Sequence, residues 1–483
     1  MIAFCSDRDG DREIYVLDAG GATQGSGELR QLTDNAADDA RPVFVQIDPA
    51  SPEAKLRSRY TMDITVLAIG TRGDVQPMLA LAVGLQRTGR HQVRLIAPDD
   101  FGALASEHGL DFAPLGLDAH QLLGMGGIGT GLESGRNTLL WVWQTLRTLR
   151  STFERLMERT WLACQGTDTS VFSSMGFGAY HVAEKLGVPC CWAIPFPGLV
   201  RTRAFPNLAF PALPLGGSYN VCTHVLGERL LLLLTGRFLN RWRRERFHLP
   251  AIPPGQWPYS HLHGRPLPTL FSFSPTVFPK PPDWGEYIHV TGYWFLDPAP
   301  DWQPPAPLVH FLDAGPPPVY VGFGSLPHRN PQQTTQLVQE ALRRAGQRGV
   351  LVTGWGGLSG ADRLHPSAEL FTLESIPHAW LFPRVAAVVH HGGAGTTGAG
   401  LRAGVPSVLV PHVGDQPLWA RRVAELGVGP RAVPRRQLTA ERLAAAISSA
   451  VTDARVRGHA AALGERIRAE DGIGRAIEII ERM

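Results

Sequence analysis

The chain has 483 residues, 44% hydrophobic and 18% charged, enough to bury more than one core and to form two or three ordinary domains. Its 46 basic and 43 acidic side chains leave a formal charge of +3, which excludes the basic excess that would make nucleic acid the default partner. The cysteines, at 5, 164, 190, 191 and 222, are odd in number and two are adjacent in an apolar run, so a reduced, cytoplasmic setting is expected.

The first eleven residues, MIAFCSDRDGD, carry charges where a secretory signal needs an apolar stretch, and no export signal is expected. Within residues 1–60, IAFCSD and EIYVLD read as short strands joined by the turn-rich RDGDR, followed by LRQLTDN and a polar, Pro-containing stretch. SDRDGDREIYVLD and LRQLTDN resemble one blade of a TolB-type β-propeller. A single blade lacks the neighbours against which its faces would pack, so residues 1–60 are expected to be a non-catalytic extension. The alternation Asp7, Asp9, Asp11 suggests calcium, but the glycine and terminal glutamate of an EF-hand loop are misplaced, and no calcium is expected.

From Asp63 the pattern becomes short β-branched or apolar strands alternating with helical stretches, as in a parallel sheet with crossover helices. Strands are expected at 64–70, 93–98, 170–175 and 190–195, and again, after the Pro-rich 298–318, at 319–325, 350–355, 370–373, 386–391 and 407–412. This predicts an α/β protein with two Rossmann-like domains, 61–297 and 319–463, joined by a linker at 298–318 and ending in a helical segment, 464–483. Ligands bind beyond the carboxyl ends of such strands, so two facing domains predict one cleft. Leu230–Leu234 falls far short of the ~20 residues that span a bilayer. The surrounding stretch 228–246 mixes leucines, Phe238 and Trp242 with arginines. Packing within the first α/β domain is the expectation there, with a membrane-surface or lid role as the alternative.

Four segments carry chemistry. AAVVHHGGAGTTGAG (386–400) runs from a buried-type strand through glycines into a helix, with Thr396 or Thr397 available as cap. Small residues there let backbone N–H groups reach an anion, and the helix N-terminus adds partial positive charge. Its spacing is neither a P-loop nor a dinucleotide fingerprint, and a plain tight turn remains an alternative. Because neighbouring strand residues point to opposite faces, only one of His390 and His391 is expected to reach a ligand. VYVGFGSLP places Gly324 and Ser325 at another strand end. VPHVGDQPLWA offers Asp415 and Gln416, an acceptor and a donor suited to sugar hydroxyls. ITVLAIGTRGDVQPMLAL sets Asp74 in the loop before a helix, where a carboxylate can act as general base or simply cap the helix. The helix N-terminus would lower its pKa, so a base there needs compensation from burial or a partner.

In this order the segments resemble the UDP-glycosyltransferase superfamily with the GT-B fold, nearest its sterol 3-β-glucosyltransferase-like and antibiotic-aglycone branch, over about 62–475. GTRGDVQPMLALAVGL resembles the family's N-terminal motif, and the stretch from Ser375 through SIPHAWLFPRVAAVVHHGGAGTTGAGLRAGVPSVLVPHVGDQPLWARRVAELGVGP its donor motif. The resemblance implies Asp74 as general base. It implies Ser325, His391, Gly393, Gly395 and Thr396 at the diphosphate, and Ile376, Pro377 and His378 with Trp355 around the nucleobase. Asp415 and Gln416 would hold the sugar. It implies inverting transfer of a hexose, glucose, from UDP-glucose to a hydroxyl of a small apolar acceptor (sterol, terpenoid, macrolide or polyketide-type), with no metal and no further cofactor. It also implies a final helix returning to the first α/β domain. His412 departs from the residues expected before GDQ in sterol relatives. Alternatives are a transferase using dTDP-sugar or UDP-GlcNAc on a lipid or cell-wall acceptor, and a non-catalytic binding module. Peripheral membrane contact is open, and no nucleic-acid partner is expected.

Overall fold

In the computed structural model the described residues are 2–6, 13–18, 28–31, 61–119, 152–324, 331–354, 358 and 369–483. Ser325, Trp355 and most of the 120–160 stretch lie outside them.

Residues 1–61 and 62–483 form two compact units. In the first, β1 (Ile2–Ser6), β2 (Glu13–Asp18) and β3 (Glu28–Gln31) make an antiparallel sheet in the order β1-β2-β3. The first two coincide with the two strands expected there.

The second unit contains two parallel sheets. The larger comprises β4 (Asp63–Leu67), β5 (Gln92–Ala97), β6 (Asp111–Pro114), β7 (Thr169–Phe172), β8 (Cys190–Ile194), β9 (Thr269–Phe271) and β10 (Ile288–Val290). Its spatial order is β10-β9-β8-β7-β4-β5-β6. The smaller comprises β11 (Val319–Gly322), β12 (Gly349–Val352), β13 (Leu370–Leu373), β14 (Ala387–His390) and β15 (Ser407–Leu409), in the order β13-β12-β11-β14-β15. Each sheet starts in its middle, runs to one edge and then resumes on the other side of its first strand. The switch points therefore lie between β4 and β7 and between β11 and β14, where open α/β sheets place ligands. Runs such as TSVF, CCWAI and VYVG are buried at every position, as parallel strands covered by helices on both faces must be.

Sequence reasoning located all five strands of the smaller sheet and missed β6, β9 and β10. These are three or four residues long, β6 and β10 are edge strands, and β6 ends in Pro114, so none shows a hydrophobic run.

Two boundaries differ from expectation. The Pro-rich stretch is not a bare linker: Ala306–Asp313 is a helix whose Leu308 and Phe311 are buried with Tyr320, Val350 and Val388, so the second α/β domain begins before Val319. Gly464 lies within the helix Ala454–Arg468 and packs against Gly404 of that same domain, where a Cβ on Gly464 would fall 2.6 Å from the Gly404 Cα. The helix that returns to the first domain is Gly472–Ile480, capped by Asp471, whose Oδ1 accepts from the Gly474 N–H at 2.8 Å. Its Ile477 and Ile480 are buried with Leu81 and Leu85. At about 1.5–3 kcal/mol for each aliphatic side chain buried, this anchor ties the chain's end to the first domain.

The helix Gly216–Trp242 buries one face through Thr223, His224, Glu228, Leu239 and Trp242. The leucine run is not part of that face. Leu226, Leu230, Leu233 and Leu234 are exposed, because at 3.6 residues per turn they fall together on a side of the helix away from its buried face.

Candidate active site

The loop from β4 into the helix Arg72–Arg87 places Asp74 at the third helical position. Its Oδ2 accepts from the Thr71 N–H at 3.0 Å and from the Thr71 hydroxyl at 3.3 Å, so one carboxylate oxygen caps its own helix. Gly70 makes room for this curl: its φ is +136°, and a Cβ there would sit 2.3 Å from Oδ2. The preceding loop is pinned to β7 by the Ile69 N–H donating to Ser173 Oγ at 2.9 Å. Burial raises the Asp74 pKa to about 6, outweighing the two Thr71 hydrogen bonds that lower it. Burial is thus the compensation that the sequence left open.

In the other domain, β14 ends at His390 and the helix Ala394–Ala403 begins four residues later. Neither threonine caps it. The N-cap is Gly393, which has no side chain to offer, and the first turn, Ala394, Gly395 and Thr396, lines the cleft, where the Ala394 N–H meets the Asp415 carboxylate. Thr397 is buried with its hydroxyl donating back to the Gly393 carbonyl at 2.9 Å, while Thr396 lines the cleft. His390 points inward, its Nδ1 accepting from the Gly392 N–H at 3.1 Å and its pKa far below the usual value through burial. His391 lines the cleft.

Asp415 caps the helix Gln416–Glu425 by position, and its Oδ2 accepts from the indole N–H of Trp419 at 2.8 Å. Burial raises its pKa to about 6. The Trp419 and Ala394 N–H groups favour the charged form, and the charge of Asp74 opposes it. The two carboxylates therefore sense each other across the cleft. Gln416 is buried, and its Oε1 accepts from the N–H groups of His412 (2.7 Å) and Val413 (3.2 Å), which leaves the side-chain NH2 as the donor available to a ligand. His412 stacks on Phe323, ring centroids 6.2 Å apart, behind this turn.

A third wall is built from Ile376, Pro377 and His378. The His378 ring stacks on Phe382 at 4.3 Å, and its Nε2 meets the Tyr320 hydroxyl at 3.2 Å. Burial, with Arg72 and His391 nearby, pushes its pKa down to about 3, so it is neutral. Arg72, from the first domain, leans towards this wall and donates to Gln76 Oε1 at 3.3 Å.

One cleft of about 960 Å3 is lined by Asp74, His391, Gly393, Gly395, Thr396, Ile376, Pro377, His378, Asp415 and Gln416, ten of the twelve site residues expected from sequence. Ser325 and Trp355 lie outside the described residues. Sequence reasoning missed Thr71, Arg72, Tyr320 and Trp419. Thr71 carried a legible signal, a threonine three residues before an acid at a helix start; Tyr320 and Trp419 read only as core residues.

Residues 64–204 match the family "Glycosyltransferase family 28 N-terminal domain", and residues 364–480 match "Erythromycin biosynthesis protein CIII-like, C-terminal domain". A sterol 3-beta-glucosyltransferase of Cryptococcus neoformans is 40% identical over 443 residues, covering 87% of this chain and 27% of the relative. One of Pichia angusta is 37% identical over 452 residues, covering 91% and 35%. The chain thus spans about a quarter to a third of the length of these relatives. Among solved structures, the glycosyltransferase of kitacinnamycin superposes with a TM-score of 0.62 at 21% identity, covering 87% of this chain and 99% of its own.

Proposed function

The chain belongs to the GT-B glycosyltransferases, and from that premise we propose that it transfers glucose from UDP-glucose, with inversion, to a hydroxyl of a small apolar acceptor of the sterol class. The observation that carries this reading is the meeting of Asp74 with Asp415 and the glycine-rich start of the Ala394–Ala403 helix in one cleft.

In the proposed step Asp74 takes the proton of the acceptor hydroxyl, and the freed oxygen forms its bond to the anomeric carbon from the face opposite the diphosphate. The bond from that carbon to the diphosphate breaks, and UDP leaves with the electron pair. The first-turn N–H groups of the glycine-rich helix, with His391, would receive the charge that develops on the diphosphate. Ser325 is proposed to join them, and Trp355 to complete the nucleobase wall of Ile376 and His378. Asp415 would accept from sugar hydroxyls, and the Gln416 NH2 would donate to them. Because fixed dipoles meet the leaving group, the step is proposed to need no metal and to persist in EDTA.

The sterol assignment follows the sterol 3-beta-glucosyltransferases to which the chain is similar, which are much longer than this chain. The aromatic and apolar cleft residues Phe196, Tyr293 and Leu104 suit such an acceptor. We place the protein at the cytoplasmic face of an anionic membrane, touching it through Leu226, Leu230, Leu233 and Leu234, which share an exposed helix face with Arg229, Arg237 and Arg241. Among the described residues no helix is long and apolar enough to cross a membrane.

The test is turnover of UDP-glucose with a panel of hydroxylated apolar acceptors, with Asp74→Ala and Asp415→Ala alongside, reading the anomeric configuration of the product. A β-glucoside formed by the parent and lost in Asp74→Ala is expected. Preferred turnover of dTDP-glucose or UDP-GlcNAc would replace the donor assignment. Nucleotide binding without turnover on any acceptor would favour a binding module.

A further inference from the structure

The carboxylate proposed to hold the sugar does not stand alone. Asp415 opens the helix Gln416–Glu425, and one turn on, Trp419 donates its indole N–H to Asp415 Oδ2 at 2.8 Å. Trp419 is fully buried and has a second partner: its ring meets Phe273 of the other domain edge-on, with centroids 6.1 Å apart. Phe273 is itself fully buried and lies just beyond β9 of the acceptor-side sheet. A turn further along the same helix, Arg422 donates to the Val277 carbonyl at 2.6 Å, a second tie to the same stretch of the first domain. One face of this helix is thus seated against the acceptor-side domain while its first residue faces the donor site.

We propose that Trp419 is a positioning residue that couples the grip on the donor sugar to the seating of the two domains: its ring is held by Phe273, and its N–H fixes the carboxylate of Asp415. The reasoning is geometric. A half-buried carboxylate with one oxygen bound to a rigid indole keeps its other oxygen aimed in one direction. Rotation of the domains apart would move the indole and release that aim. The cleft would then bind the nucleotide portion in any seating, through the glycine-rich helix and the 376–378 wall, but would hold the sugar well only when the domains are seated as observed.

This rests on the reading of Asp415 as the sugar-holding carboxylate. The experiment measures binding of UDP and of UDP-glucose to the full chain by calorimetry, for the parent, Trp419→Phe, Phe273→Leu and Asp415→Asn. Trp419→Phe keeps an aromatic ring against Phe273 and deletes only the donor. It should weaken UDP-glucose by about 10-fold, the loss of one hydrogen bond to a charged group, while UDP changes by less than about 2-fold. Phe273→Leu keeps the indole and loosens its seat, and should shift the same ratio in the same direction.

A merely structural tryptophan would weaken both ligands together. If Asp415→Asn leaves the UDP-glucose to UDP ratio unchanged, the sugar-site reading itself fails. If Asp415→Asn changes the ratio and Trp419→Phe does not, the positioning proposal is overturned. Should Trp419→Phe lose UDP binding through misfolding, Phe273→Leu decides: an unaltered ratio there refutes the coupling.

Discussion

Asp74→Asn separates the two things Asp74 does. The amide keeps an oxygen that can accept from the Thr71 N–H and hydroxyl, so the helix cap survives, while the capacity to take a proton is lost. General-base catalysis contributes about 10²–10⁴-fold, and kcat should fall by that factor. Stability should move the other way. The Asp74 pKa is raised from 3.8 to about 6. A carboxyl raised in this way supports the fold fully below its unfolded pKa and loses that support as pH rises through about 6. The difference of roughly 2.2 units, at about 1.4 kcal/mol each, sets an upper limit of about 3 kcal/mol for what the ionised group costs the folded state at pH 7.5. Asn carries no charge and escapes that cost. In thermal melts the variant should match or exceed the parent at pH 7.5, and the gap should close as pH falls from 6 to 4. A variant that keeps kcat within a few-fold would place the base elsewhere. One that is less stable at pH 7.5 would refute the burial argument, since it would mean that the ionised carboxylate stabilises the fold.

The pH profile of kcat/KM should fall on the acid side near pH 6, because Asp74 and Asp415 must both be ionised and both have pKa values raised to about 6; an acid limb near pH 4 would count against the burial argument. Thr71→Val removes one hydrogen bond that favours ionised Asp74, and should move this limb to higher pH by a few tenths of a unit, read from the same profile. Gly393→Ala would put a Cβ 2.6 Å from His391 Nε2 and displace that ring at the proposed diphosphate site; titration should show UDP binding weakened by about 10-fold, and unchanged binding would remove His391 from the site. Deleting residues 1–61 removes a separate compact unit, and the remainder should stay folded with kcat within about 2-fold of the parent. Aggregation of the truncated chain would assign that unit a structural role.

The five strands of the smaller sheet were legible because each lies in a short, mostly apolar run bounded by glycine, proline or a polar turn. β9 and β10 were not, because three residues carry no period; β9 becomes a strand by pairing along the edge of β8, and β10 by pairing in turn with β9. Of the two histidines of HHGGAG, His390 ends β14 and is buried while His391, just past the strand, lines the cleft, as alternation along an extended chain suggests. The cap of the following helix was misread: either threonine had the right chemistry, but the backbone enters the helix at Gly393, and only the seating of β14 beside β11 and β15 sets that point.

Sequence by itself determined the chemical groups and their order along the chain: a carboxylate after β4, a histidine after β13, a glycine-rich turn after β14 and an acid–amide pair after β15. These are local properties, fixed by periodicity and by what a strand-to-helix turn requires. What only the tertiary structure decided is the state in which those groups work. The pKa values of Asp74 and Asp415 depend on how much water the cleft leaves them and on each other's charge. The neutrality of His378 depends on Phe382 beneath it and Arg72 across from it. The aim of Asp415 depends on Trp419 and, through Phe273, on the other domain. Electrostatic energies follow distance and solvent exposure between residues far apart in the chain, and sequence spacing carries neither.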